Sequence, residues 1–569
     1  MTDPVLLRSR DRPRVRAKRW LMVLILGAIA ISLGYGLFIR ATQIRPPEIS
    51  AEMRAQAELP LEVKGPRSYI GKSWLGRERG IWELHLFGDP YALGYAQGRL
   101  ADRLFLNAED YMFREMNRYI PSKIALQLVR LGVRLRYRHL GDQLPPDRAV
   151  EIAGIASGVA DLHGDFLPIY HRLVFYHALH DITQSLENSP LLGCSAFAAS
   201  GSATSNGHLL IGRNFDFEGP EPFDGDKAVL FFRPTGKIPF ASVAWGGMAG
   251  VVTGLNGEGI YVSINASRSD DKGKDGIPVE ILVREVLEQA KSVDDAIAIV
   301  KKSPVMVPDF YLVGDGKTGD SAVIERTPTR IEVRRSRGSI DRNGASDAPL
   351  VLTNHALAPA FSGDAENDRL KRYLTSGARY RRMSELVQRW RGLIDPKKVL
   401  EILRDKKGDG VAPLGLGNRN ALDALIATHS VVVDATSLIL WVGEGPHLIG
   451  RYRAFDLRKE LYDEERAAPA DLPPDNLSED DLRNFHDAQA AIKAAHELEK
   501  AGAHERALEE AEKAVALEDN LPEARRLLGD LYRAAQRPDD ARRQYQRFLE
   551  LNPPYLKDIE QVRGILGSL

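Results

Sequence analysis

The stretch LGCSAFAASGSATSNGHLLIGRNFD, residues 192–216, holds the only cysteine of the 569-residue chain, Cys194, directly behind Gly193. Two apolar, β-prone runs flank Ser205-Asn206-Gly207-His208, and Asn-Gly is the strongest short-range hairpin signal because both residues tolerate positive φ. The stretch therefore reads as a hairpin that begins at a thiol. An ideal two-residue turn at Asn206-Gly207 would set Cys194 opposite Gly219, whereas one bulge at Gly201 would bring Asp216 to the cysteine's face of the sheet. Arg213 and Asp216 are three apart, so on a straight strand they point to opposite faces. A further irregularity near Asn214 is expected if both are to reach the sulfur. A free cysteine is commonly just a small buried hydrophobe, so the nucleophile reading of Cys194 needs support from elsewhere in the chain.

A chain of this length holds two to four domains and can bury a large core without cross-links; a single cysteine excludes an intrachain disulfide. With 77 Lys and Arg against 78 Asp and Glu, nothing in the overall charge argues for nucleic acid. The asymmetry is local. Arg8, Arg10, Arg12, Arg14, Arg16, Lys18 and Arg19 precede an uncharged apolar run from Trp20 to Ile39, long enough to cross a bilayer. The basic side stays cytoplasmic and the body lies outside, on the periplasmic side. The run ends without an Ala-x-Ala-like site, which favours an uncleaved anchor over a signal peptide.

Residues 40–80 are punctuated by Pro46-Pro47, Pro60 and Pro66 and read as a stalk. GIWELHLFGDPYALGYAQGRL, from Gly80, alternates as a strand and then becomes a small-residue helix whose Gly94 and Gly98 serve close packing. Residues 101–190 are mostly helical in pattern. His163, His171, His177 and His180 fall there without the convergent spacing of a metal site, so no metal or cofactor is expected. Strand and turn signals dominate after the hairpin, helices return between Asp368 and Arg404, and a last strand pair follows from Ala427. Ala467–Leu477 reads as linker. Beyond it Gly529, Tyr532, Ala541, Tyr545 and Pro553 fall at the spacings of one tetratricopeptide repeat, with a weaker copy thirty-four residues earlier. Two repeats and a closing helix are fewer than usually stand alone, so this module docks on the rest of the chain or pairs with another protein.

Gly-Cys-Ser-Ala-Phe, the SNGH turn and Arg213-Asn214-Phe215-Asp216 resemble the acyl-coenzyme A:6-aminopenicillanate acyltransferase family of N-terminal-nucleophile cysteine hydrolases. More distantly they resemble choloylglycine hydrolase, penicillin V acylase and acid ceramidase. The resemblance covers roughly residues 80–455. It implies a four-layer αββα sandwich and cleavage before Cys194, at Gly193, so that the freed α-amino group takes the thiol proton. Asp216 would hold that ammonium and Arg213 would favour thiolate. Leu352-Thr353-Asn354-His355 resembles the family segment whose asparagine donates to the oxyanion, which falls on Asn354. Asn256 and Asn265 resemble residues leading into the site, Asn265 as a second oxyanion donor through its backbone N–H. Ser376-Gly377-Ala378-Arg379-Tyr380 resembles a segment whose arginine, here Arg379, pairs with the aspartate.

The expected fold is α+β, an αββα sandwich with one transmembrane helix and an all-α tetratricopeptide-like module. Its parts are a basic tail 1–19, anchor 20–39, stalk 40–80, helical pro-region 81–193, catalytic domain 194–455, linker 456–484 and repeats 485–569. The expected activity is amide or thioester hydrolysis, or acyl transfer, through a Cys194 thioester, on a small-molecule substrate. A lipid-directed amidase or esterase and an inactive, membrane-anchored binding scaffold are the alternatives. Because every proposed site residue precedes Leu448, the repeats are expected to be dispensable for chemistry.

Overall fold

The computed structural model describes residues 12–184, 192–217, 221–273, 275–336, 348–409 and 414–569. Two sheets stack face to face. The first has eleven strands, running in space from Leu61–Lys64 through Trp82–Gly88, Ala228–Pro234 and Ile260–Ala266 to Ile331–Arg335. Its one parallel pairing joins Trp82–Gly88 to Ala228–Pro234. The second has six strands in the order Leu350–Leu352, Leu192–Gly201, Gly207–Phe217, Ala427–Asp434, Ile439–Gly443 and Tyr452–Asp456.

Period-two alternation sorts the side chains into layers. Ala196, Ala198, Leu209 and Ile211 of the second sheet meet Val229, Phe231, Leu255 and Tyr261 of the first. The opposite faces pack on helices: Leu230, Phe232 and Val262 against Leu282, Val286 and Leu287, and Phe197, Leu210 and Val432 against Met383, Leu386 and Val399. The result is helix, sheet, sheet, helix, the arrangement expected for residues 81–455. Gly94 and Gly98 do serve packing: a Cβ at Gly94 would stand 1.9 Å from the Glu151 carbonyl oxygen and one at Gly98 2.6 Å from that of Ile155. The helices Pro90–Leu100 and Pro146–Gly158 therefore touch backbone to backbone.

Two domain expectations change. The segment 40–80 is no stalk, since Leu61–Lys64, Arg67–Ile70 and Ser73–Gly76 extend the first sheet beyond Trp82–Gly88. Thr42 and Ile44 are already buried. Proline density there marks tight connections between short strands, not an extended tether. The 456–484 linker is also built in: Leu472 and Tyr452 exchange backbone hydrogen bonds of 3.0 and 3.1 Å, and helix Glu479–Lys500 begins before the expected boundary. The C-terminal module is two helical hairpins closed by Leu556–Ser568, and of its two expected arrangements it takes the first. It docks on the body. Phe485, Ala488 and Leu528 share one core cluster with Leu425, and the Asn418 side chain donates to the carbonyls of Leu551 (3.3 Å) and Asn552 (3.2 Å).

Near the N-terminus the helix Arg12–Ala41 includes Trp20–Ala41, twenty-two residues long and apolar enough to cross a membrane.

Candidate active site

Gly201 and Gly207 adopt φ of 56° and 79°, and the register slips between Ala199 and Gly201, so the expected bulge is present. The tight Asn206-Gly207 turn is not. Residues 202–206 form a wider loop, pinned where Ser205 N–H donates to Ile394 O (2.9 Å) and Gly392 N–H to Ala203 O (2.8 Å). This loop resets the register: Cys194 stands opposite Phe215, Gly193 opposite Asp216 and Ala196 opposite Arg213. Pairing with Leu192–Gly201 is regular from Arg213 to Asp216, and the register slip beside Asp216 falls in the neighbouring strand, between Ala427 and His429, so both charges are not brought to the sulfur. Directly opposed residues share a face. Arg213 therefore lies on the cysteine's face, between the sheets, while Asp216 lies on the other, with Gly193.

On the inner face Cys194 is wholly buried. Burial pushes its thiol up to about 11, against the opposing charge of Arg213, so at neutral pH the uncut chain holds a protonated, weakly nucleophilic sulfur. Arg213 donates to Thr253 Oγ1 and to the Ile264 carbonyl and lies 3.3 Å from His429 Nε2. His429 opposes Phe215 in the next strand, stacks on its ring at 4.9 Å, and is held well below its usual range by burial and by Arg213. It is a neutral imidazole in the same row as the cysteine. Sequence reading missed it, because the Ala427–Asp434 run carries only a strand pattern and nothing ties it to Cys194 until the sheet is assembled.

On the outer side the groups converge on the Gly193–Cys194 peptide. Cys194 N–H donates to Asn354 Oδ1 (3.1 Å). Arg379 donates through Nη1 to Cys194 O (2.6 Å) and Ser195 Oγ (2.8 Å), and through Nη2 to Asn354 Oδ1 (2.7 Å). A Cβ at Gly193 would stand 3.5 Å from Arg379 Nη2 and 3.6 Å from Asp216 Oδ2. Burial pushes the Asp216 carboxyl up to about 7, with the charges of Arg379 and Arg419 opposing. The first turn of helix Ser376–Arg389 sets this geometry. Ser376 Oγ accepts from Asn354 N–H (2.9 Å) and bonds His355 Nδ1 (2.8 Å), while Arg379 projects one turn further along.

Four of the expected residues take the following places. Asn354 Nδ2 donates to Ala266 O (2.8 Å), so its amide is committed to backbone and its oxygen, not its N–H, faces Cys194. Asn265 donates through its side chain to Thr353 O (3.1 Å), which holds the segment carrying Asn354. Asn256 closes its own turn, accepting from Glu258 and Ile260 N–H, and donates to Leu287 O and Ala290 O. It is a fold residue away from the site. Arg379 donates its hydrogen bonds to Cys194 O, Ser195 and Asn354, and its charge acts on the Asp216 carboxyl.

A cavity of about 90 Å³ opens on this outer side, lined by Gly193, Asp216, Asn354 and Arg379, with Arg268, Arg419, Leu370 and Ile426 around them. Tyr555, from the C-terminal module, completes its wall. The C-terminal module thus reaches the site that the sequence assigned to residues before Leu448. Among the described residues no group of three or more His, Cys, Asp or Glu is arranged to hold a metal. His163 bonds Asp110 (2.8 Å) and His180 bonds Asp309 (2.9 Å).

Residues 202–413 match the family model of acyl-coenzyme A:6-aminopenicillanic acid acyl-transferase. That span contains Arg213, Asp216, Asn354 and Arg379 and begins beyond Cys194. A protein of Archaeoglobus fulgidus is 26% identical over 409 residues, 66% of this chain and 65% of its own length. Acid ceramidase of Bos taurus is 27% identical over 147 residues, 21% of this chain and 36% of its own. The structure of an N-acylethanolamine-hydrolyzing acid amidase ortholog of Caenorhabditis elegans aligns over 43% of this chain and 93% of that one, at 19% identity and a TM-score of 0.31. The chain spans just under two thirds of the first of these relatives and about a third of the ceramidase. Its sequence likeness is thus to an acyl-transferase family over the stretch that carries Arg213, Asp216, Asn256, Asn265, Asn354 and Arg379, and to acid ceramidase over a shorter one.

Proposed function

We propose that this chain is a membrane-anchored, self-processing cysteine amidase or acyltransferase with an N-terminal nucleophile. The observation that carries the reading is the pair of hydrogen bonds at Cys194, whose N–H donates to Asn354 Oδ1 and whose carbonyl oxygen accepts from Arg379 Nη1, with Asp216 beside Gly193. In the cleavage step the sulfur adds to the Gly193 carbonyl carbon, the C–N bond to Cys194 breaks, and water releases Gly193 as a carboxylate. The freed α-amino group then lies between Asn354 Oδ1 and the Asp216 carboxylate, which is placed to hold it as ammonium.

In turnover that amine takes the thiol proton, the sulfur attacks the substrate carbonyl, and the leaving amine departs with the proton. Water or a second acceptor resolves the thioester. Arg213, to which no carboxylate among the described residues is hydrogen-bonded, supplies the positive field on the sulfur's side. A lipid amide is the favoured substrate class, because the Trp20–Ala41 helix would keep the site beside a bilayer. The repeats are read as tetratricopeptide-like and the body as extracytoplasmic.

The intact mass of purified protein, with hydrolysis of an amide and thioester panel, tests this for wild type and Cys194→Ala. Two fragments and turnover in the wild type, both lost in the variant, are expected. A single full-length chain that turns substrate over equally well without the thiol would sink the reading.

A further inference from the structure

The helix Lys123–Arg136 belongs to neither sheet layer, and its outward face is apolar. Ile124 and Leu128 are 75% and 65% exposed and Leu135 is 49% exposed. With the half-buried Leu131 they recur at intervals of four, three and four residues, a single stripe on one side of the helix. A stripe of this size facing water is costly unless something covers it. Three further observations say what does.

Its inward side grips the end of the apolar N-terminal helix. Arg134 donates to Ile39 O (3.0 Å) and Thr42 Oγ1 (3.2 Å), and Arg130 to Tyr35 Oη (3.0 Å). The chain then enters the body at once. Thr42 is 2% exposed and Ile44 packs with Leu140 and Leu144, so no tether separates the body from the point where Ala41 leaves the bilayer. The charge is one-sided as well: Lys123, Arg136 and Arg138 are exposed on this segment, and the sequence from Ile120 to Gly141 contains no Asp or Glu. An amphipathic helix with basic residues flanking an apolar stripe suits the headgroup and acyl boundary of an anionic leaflet.

We infer that Lys123–Arg136 lies in the surface of the same bilayer that Trp20–Ala41 spans, as a second membrane contact that fixes the orientation of the body. The inference rests on the reading of Trp20–Ala41 as a membrane span and is independent of the chemistry at Cys194. Ile124, Leu128 and Leu135 enter the acyl boundary while the flanking cations meet lipid phosphates.

The test uses the full chain with Cys194→Ala, so that an introduced cysteine is the only one, reconstituted in phosphatidylcholine and phosphatidylglycerol vesicles that contain a nitroxide-bearing lipid. An environment-sensitive fluorophore is attached at Leu128→Cys or, as control, at Glu509→Cys on an exposed repeat position. The label at 128 is expected to be quenched by the lipid about threefold more than that at 509, and to be shielded from aqueous iodide. Equal lipid quenching at the two positions, or equal iodide access, overturns the inference, and both readouts stand whether or not the protein has any hydrolytic activity.

Discussion

The two faces of the strand that begins at Leu192 hold different halves of the chemistry. Inside, between the sheets, Cys194, Phe215 and His429 form one row, and Arg213 stands on the same face, opposite Ala196. Burial raises the thiol and lowers the imidazole, so both are neutral and quiet. Outside, Gly193 and Asp216 form the matching row beside Arg379 and Asn354, and a cavity reaches them. The contrast teaches that one strand buries its sulfur on one face and turns the Gly193–Cys194 peptide toward a cavity on the other. A one-residue change of register would exchange the two sets, since side chains alternate.

Three experiments press on that contrast, in falling order of effect. Asn354→Ala removes the acceptor that holds Cys194 N–H, and a misplaced reacting peptide should slow both chain cleavage and amide turnover by about a hundredfold. Stopped time courses followed by mass read the first and a reactive amide the second. Rates within a factor of about two of wild type would move the outer set out of the mechanism.

Asp216 probes the electrostatics of the outer row in the uncleaved Cys194→Ala background. Its folded pKa is raised, so the folded chain keeps a proton that the unfolded chain has lost. Its contribution to stability is therefore fully present below the ordinary carboxylate value of about 4 and is lost as pH rises to about 7. Asp216→Asn should remove that fall, on the order of 2–4 kcal/mol in urea unfolding between pH 4 and pH 8. Parallel pH profiles for the two proteins would show that the carboxyl is not raised by burial.

The smallest effect is expected at Tyr555, which walls the cavity from the C-terminal module. Tyr555→Ala should shift the ratio of kcat/KM between long and short acyl amides by about tenfold, while leaving turnover of the smallest amide and the melting temperature nearly unchanged. An unaltered ratio would return the repeats to the dispensable role that the order of residues along the chain suggested.

Much of the site was legible in sequence because its members sit in short, chemically odd contexts: a lone Gly-Cys, an Arg-Asn-x-Asp run, a Thr-Asn pair and an arginine one turn into a helix. Arg379 was identified although its surrounding motif was incomplete, and helix Ser376–Arg389 delivers it to Cys194 O. His429 was not legible, since a histidine in an apolar strand looks the same whether or not a cysteine lies two strands away. The built-in segment 40–80 was misread because proline and mixed charge describe a connection equally well when it is short strands and when it is a tether.

By itself the sequence determined the candidate residues Cys194, Arg213, Asp216, Asn354 and Arg379, the alternation that builds two sheets, and an apolar helix before the body; these are local properties of composition and period. Only the tertiary structure decided which face each charge occupies, which atom of Asn354 meets Cys194, and that Tyr555 reaches the cavity. Those outcomes depend on a loop held by Ile394 and a docked helical module. Register and docking are set by contacts between residues hundreds of positions apart, and no local pattern encodes them.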